Sequence, residues 1–180
     1  MKMKRYLLMI LLLLPVLAFA QIGEEPDPAA EPVLVQPARI PAAVSGGTAA
    51  DMDAMLAAKT VSAAGAARFI LASADLLPAG LSGSAAERAA YDMASSKGWI
   101  KKTAEENVTL KDTAFLIMKA FDLKGGIMYS LLKNPRYAYR EMVYRKLIQG
   151  ASDPDMNVTG ARLIQILGKT INYSSVEGRQ

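Results

Sequence analysis

Val108-Thr109-Leu110-Lys111-Asp112-Thr113-Ala114-Phe115-Leu116-Ile117-Met118-Lys119-Ala120-Phe121 is the stretch that decides the fold. Thr109 and Asp112 have the hydroxyl-x-x-acid spacing of a helix N-terminal cap, where side-chain oxygens take up backbone N–H groups that the helix itself leaves free. Leu110, Ala114, Ile117, Met118 and Phe121 then recur at i, i+4, i+7, i+8 and i+11. That period lays them along one face of a helix. Lys111 and Lys119 fall off the face, and Gly125-Gly126 closes the segment soon after Leu123.

Helical patterns continue on both sides. Residues 85–97 read as a helix with Ser84 and Glu87 as a capping box and Gly98 as its terminator. Asn134-Pro135 opens another, a cap followed by a first-turn proline, which stops before Gly150. Thr159 begins a helix carrying Leu163, Ile164, Leu167 and Ile171; Ser62 caps one carrying Ala67, Ile70, Leu71 and Ala74. A short helix is expected at 49–58, and no segment reads as a strand. The three capped helices should meet through Ile70, Leu71, Ile117, Met118, Phe121, Ile164, Leu167 and Ile171.

Their starts repeat. Val61-Ser62, Val108-Thr109 and Val158-Thr159 each set a β-branched residue and a capping hydroxyl before an apolar helix, 47 and then 50 residues apart. Such a period implies one helix–loop–helix unit used repeatedly, each copy burying its apolar face on its neighbours.

The rest of the 180 residues bounds the function. There is no His and no Cys, which excludes an imidazole base, a thiol nucleophile and His/Cys metal sites, so an enzyme is not expected. Lys2, Lys4 and Arg5 precede an apolar run from Tyr6 to Phe19, and Ala18-Phe19-Ala20 offers the small residues of a cleavage site. Residues 1–20 therefore read as a signal peptide, with no membrane span after cleavage and an exported product in the periplasm or cell envelope. With those three bases set aside, 18 bases face 17 acids, a net charge of +1, so the basic balance of the full chain does not point to nucleic acid. Residues 21–47 hold five prolines between Pro26 and Pro41 among four acids, the composition of an extended linker. The helical domain is expected at 48–175, with a tail at 176–180.

Residues 133–146 carry the most suggestive chemistry. Lys133, Arg136, Arg140, Arg145 and Lys146 interleave with Tyr137, Tyr139 and Tyr144, against one acid, Glu141. Guanidinium groups fork onto carboxylates and phosphates, and tyrosine faces stack on sugar rings. The plainer reading is an amphipathic helix with Tyr137, Glu141 and Tyr144 half inside and Arg136 and Arg140 solvated. Trp99 reads as core, since its slot in the repeat is matched by Leu147. Asp153-x-Asp155-x-Asn157 begins like a calcium loop, but Val158 stands where such a loop needs glycine and Ile164 where it needs glutamate. Glu105-Glu106 lies in one polar loop, where neighbouring carboxylates point apart. No cofactor and no metal is expected.

Arg136-Tyr137-Ala138-Tyr139, Leu147-Ile148-Gln149-Gly150, Asp153-Pro154-Asp155 and Asn157-Val158-Thr159 together resemble an S-layer homology repeat. Gly98-Trp99-Ile100 and Asn107-Val108-Thr109 are similar to the same pattern one copy earlier. The resemblance implies an all-α domain of helix–loop–helix repeats packed as a pseudo-threefold bundle. It also implies non-covalent attachment to peptidoglycan or another cell-wall polymer, with Arg136, Tyr137, Arg140, Gly150 and Thr159 at the binding site. Where the family carries a polymer-contacting arginine, this chain has Ala63, Leu110 and Gly160. A scaffold kept for binding an envelope protein instead is the alternative.

Overall fold

The computed structural model describes residues 48–150 and 153–177. The expected signal peptide, the proline-rich linker and the last three residues of the tail lie outside the described residues. Among these, seven helices form and no strand beyond isolated bridges: α1 (Ala49–Ala57), α2 (Ala63–Ser73), α3 (Gly83–Ser96), α4 (Leu110–Ala120), α5 (Ile127–Leu132), α6 (Pro135–Tyr144) and α7 (Gly160–Glu177). The all-α expectation holds.

Hydroxyl and amide caps start most of these helices. Asp112 Oδ2 accepts from the Thr109 N–H at 3.2 Å and from its hydroxyl at 2.7 Å. Ser62 Oγ takes the Gly65 N–H, Asn134 Oδ1 the Arg136 N–H and Thr159 Oγ1 the Arg162 N–H. Thr48 and Asp51 form a further capping box at α1. Three expectations need correction. The α3 helix begins at Gly83, before the expected Ser84 cap, because Gly83 itself turns the chain at φ +55°, open to a residue without Cβ. The α4 helix ends at Ala120, with Asp122 left-handed, a few residues before Gly125-Gly126, and those glycines lead into an unexpected α5, whose aliphatic side chains face outward and give no inward period. The α7 helix runs on to Glu177, past Ile171.

The three valines of the sequence repeat lie together, buried. The Val108 N–H donates to the Val61 carbonyl at 2.9 Å, Val158 to Val108 at 3.1 Å, and Val61 to Val158 at 3.1 Å. The ring closes on itself. The first helical residues extend it outward: Ala63 N–H bonds the Glu106 carbonyl, Leu110 that of Met156, and Gly160 that of Ala58. A helix start leaves its first N–H groups unsatisfied within the helix, and here the next loop supplies the acceptors. Gly160 is held most tightly, since a Cβ there would fall 1.6 Å from the Met55 carbonyl oxygen.

From this centre α2, α4 and α7 contact one another, while α2 also packs on α3, α4 on α6 and α7 on α1. Ala63, Ala66 and Ala67 on α2 and Ala86, Ala90 and Ala94 on α3 are buried, and such short side chains allow close approach of the two helices. Ile70, Leu71, Ile117, Met118 and Leu167 are buried as the sequence leads one to expect. Phe121, Ile164 and Ile171 are only half-buried. Phe121 caps the C-terminus of α4, where the chain leaves the bundle, and Leu110, Leu116 and Leu163 fill the interior instead.

Helix ends match in pairs. Asp75 and Asp122 take left-handed φ of 57° and 47° after α2 and α4; Gly98 and Lys146 take 67° and 59° after α3 and α6. In each case the following N–H reaches back into the last turn, as Trp99 does to Ala94 at 2.8 Å and Leu147 to Met142 at 2.9 Å.

Candidate functional site

Rotation of α6 decides which of its side chains are available. Ala138, Tyr139 and Met142 are its buried residues, so the bundle-facing stripe is not Tyr137–Glu141–Tyr144. Tyr144 is 84% exposed, and Tyr137 is half-buried against the core. Arg136 and Arg140 are exposed, one turn apart. Glu141 is engaged, its two oxygens taking the Arg145 Nε–H at 2.9 Å and the Gly126 N–H at 3.0 Å. Gly150 is exposed at φ +82° with open space at its Cβ position, and Thr159 acts as the cap of α7. Arg162, on the first turn of α7, donates to the Gln149 carbonyl at 3.2 Å and so links the chain beside Gly150 to the Thr159 cap. Arg136 lies within electrostatic reach of Asp155 in the loop before α7. Among the described residues, no side-chain hydrogen bond or ion pair draws Arg140 to the other four expected site residues.

A better-formed concavity lies beside them, between the loop after α3, the first turns of α4 and the N-terminus of α6. It is a cavity of about 60 Å³ whose lining includes Trp99, Ile100, Lys102, Asp112, Thr113, Leu116 and Pro135. Trp99 is half-buried rather than wholly core, and the Lys97 ammonium sits 5.1 Å from its ring centre. The Lys102 ammonium donates to the Asn107 carbonyl at 2.6 Å and stands 3.4 Å from Asp112 at the rim. The Tyr91 hydroxyl fixes the Lys102 carbonyl at 2.9 Å, so the loop is tied to α3. Thr113 is fully buried in the wall, and its hydroxyl has no hydrogen-bond partner among the described residues. An aromatic face with an ion pair at the mouth of an apolar concavity suits the edge of a ring with both apolar and hydroxylated faces, with the buried Thr113 hydroxyl behind that surface.

The loops around this cavity hold their charges firmly. Lys111 pairs with Asp155, and this bond keeps the Asp155 carboxyl below the usual carboxylate range. Asp155 N–H also donates to Asp153 Oδ1 at 2.9 Å, which makes the acidic run a turn. Glu106 Oε2 accepts the Thr103 N–H at 2.6 Å, and that bond lowers its pKa. Glu105 and Glu106 are both exposed, and an ionised, loop-tying Glu106 has no proton to give at neutral pH.

The start of α2 is bordered by a second concavity, of about 210 Å³, whose lining includes Asp51, Met55, Ser62, Arg68, Phe69 and Glu87. Arg68 is buried there, 2.7 Å from Asp51 and 3.7 Å from Glu87. Its hydrogen bonds hold the Asp51 carboxyl at a pKa of about 2, with the Thr48 N–H contributing next.

Sequence reasoning missed Lys102 and Thr113. Thr113 had a visible signal, a hydroxyl set inside the apolar run of α4; Lys102 had none, since a lysine in a loop is ordinarily solvated. The chain matches no protein-family model, no curated protein and no solved structure.

Proposed function

We propose that residues 48–175 form a non-catalytic module of the S-layer homology kind, three helix–loop–helix repeats in a pseudo-threefold bundle, carried by an exported chain and binding peptidoglycan or another wall polymer in the cell envelope. The observation that carries this reading is the closed ring of backbone hydrogen bonds through Val61, Val108 and Val158, with α3, α6 and α1 each packed on one capped helix. A ring in which three equivalent positions donate to one another in turn is what a cyclic repeat requires. The binding site is the cavity lined by Trp99, Lys102 and Thr113, with Arg136 and Tyr137 beside Pro135 at its edge. A sugar ring stacks on the Trp99 face, hydroxyl groups exchange bonds with Lys102 and Asp112, and an anionic substituent meets Arg136.

Retention of the protein on purified sacculi tests this. Lys102→Ala, and Arg136→Ala with Tyr137→Ala, should weaken retention while leaving the melting temperature nearly unchanged, because these side chains are not fully buried. Added salt should loosen retention too, since exposed charges are screened within about 8–10 Å at physiological ionic strength. No retention of the folded wild type removes the polymer reading.

One observation favours a protein-binding adaptor as the second reading. Ala63, Leu110 and Gly160, which stand at the family's polymer-contacting arginine position, are all buried, and Gly160 has no room for any side chain. Crosslinking that recovers one defined envelope protein, with no sacculus retention, selects the adaptor.

A further inference from the structure

We infer that α5 is a membrane-docking element, whose outer face inserts among the headgroups of an anionic lipid surface. Ile127, Met128, Leu131 and Leu132 occupy one side of this helix, in two pairs a turn apart, and are 84, 51, 76 and 50% exposed. Four aliphatic side chains turned to solvent on six residues is an unusual concentration, because scattered single exposures are the rule. The helix is nevertheless anchored. Tyr129 is buried beneath it, the Gly126 N–H is held by Glu141 at 3.0 Å, and the Ser130 hydroxyl donates to the Gly125 carbonyl at 3.1 Å. The apolar side chains are therefore presented by a fixed backbone.

Charge identifies the occupant. Lys124 and Lys133 bracket the helix, Arg140 and Tyr144 are exposed on the adjoining α6, and Lys146 is exposed just beyond its end. The single acid from Lys124 to Lys146, Glu141, is engaged by Arg145 and Gly126, and Asp122, whose charge reaches Tyr129, is outnumbered by these bases. A sugar polymer finds no hydrogen-bonding group on the aliphatic side chains. A second copy docking face to face would bring like charges together without compensation. Apolar side chains flanked by bases and an exposed tyrosine match the boundary of an anionic bilayer, where the aliphatic groups enter, the lysine stems lie along the surface and the ammonium groups meet phosphates. The inference goes beyond the polymer groove and does not depend on it.

The chain has no cysteine, so a single introduced one carries an environment-sensitive fluorophore at a chosen site. Leu131→Cys places it on α5, Ile127→Cys provides a second position on the same face, and Ser95→Cys on α3 is the control. With phosphatidylglycerol vesicles, both α5 labels should brighten several-fold and shift to the blue while the control does not move; phosphatidylcholine vesicles should have little effect, and added salt should reduce the response. Because the labels report only their own surroundings, attachment through another part of the chain does not imitate this result. Unchanged α5 labels with phosphatidylglycerol overturn the inference and leave an acidic protein as the occupant. Equal brightening at position 95, or with phosphatidylcholine, overturns it as well.

Discussion

At the start of α2, a buried valine, a capping serine and an N–H donated to the next loop surround Arg68, which meets Asp51 at 2.7 Å. At the start of α4, a buried valine, a capping threonine and the same outward N–H surround an apolar cavity beside Trp99 and Thr113. The backbone arrangement is common to both, and the side chains placed on it differ completely. In the first case opposite charges satisfy one another inside the concavity. In the second, the pair formed by Lys102 and Asp112 stays at the rim and a buried hydroxyl is left unengaged. The backbone ring thus constrains where a concavity forms, while the residues three to seven positions beyond each valine decide whether it is filled.

At the third start, Gly160 on α7, nothing but glycine fits. Gly160→Ala would place a Cβ 1.6 Å from the Met55 carbonyl oxygen and 2.6 Å from its carbonyl carbon, backbone atoms that cannot swing aside as a side chain would. Stability should fall by more than about 3 kcal/mol, or the protein should fail to fold. An unchanged urea midpoint would mean that α1 is not seated on α7.

The charged concavity should answer to pH. Asp51 is held at about 2, below its ordinary value of 3.8, so folding favours its ionised form. The unfolded chain then binds the proton more readily, and the stabilisation is complete above about pH 4 and lost as pH falls toward about 2. Arg68→Met should lower stability at neutral pH by about 1–3 kcal/mol, less than for a fully buried pair because the partner carboxylates reach water. It should also flatten the acid limb of a stability–pH curve. Asp155 and Glu106, which are lowered too, would supply the slope that remains. An acid limb identical in both proteins would remove Arg68 as the group that sets Asp51.

A smaller effect, of opposite sign, is expected at the ends of α3 and α6. Gly98 adopts φ +67° freely, whereas Lys146 adopts +59° against the clash that its Cβ creates. Lys146→Gly should raise stability by about 0.5–1 kcal/mol, seen as a higher melting temperature. The corresponding Gly98→Lys should lower it. If neither changes, the two ends do not share one conformation in solution.

Much of this frame was legible because caps and helical periods are local. Thr109 with Asp112, Asn134 with Pro135 and the three Val–hydroxyl pairs each declare a helix start within a few residues. What was not legible depended on partners far along the chain. The exposure of Tyr144 and burial of Tyr139 follow from how α6 rotates against α4, and tyrosine at either position fits both a core and a surface. The α5 helix escaped because two glycines ordinarily end a helix and its apolar residues turn outward. Of the expected site, Arg136 and Tyr137 directly follow Pro135, which lines a real concavity, and Gly150 and Thr159 lie beside the start of α7. The wall of that concavity comes from residues 99–116, a region where Trp99 looked like core on the strength of its repeat partner.

The last and smallest stability effect concerns Thr113 itself. Its hydroxyl is fully buried without a partner among the described residues, so the folded protein carries the desolvation of a polar group with nothing gained in return. Valine has nearly the same shape and no such group. Thr113→Val should therefore change stability by less than about 1 kcal/mol, on the stabilising side. A substitution that stabilises slightly yet weakens sacculus retention would separate binding from folding at one atom, because it leaves the Trp99 face and the Lys102–Asp112 pair in place. Lower stability in Thr113→Val would instead show that the hydroxyl is satisfied within the protein. Retention equal to wild type, with stability unchanged or raised, would take the hydroxyl out of the binding site and leave the concavity beside α4 with its chemistry at the rim alone.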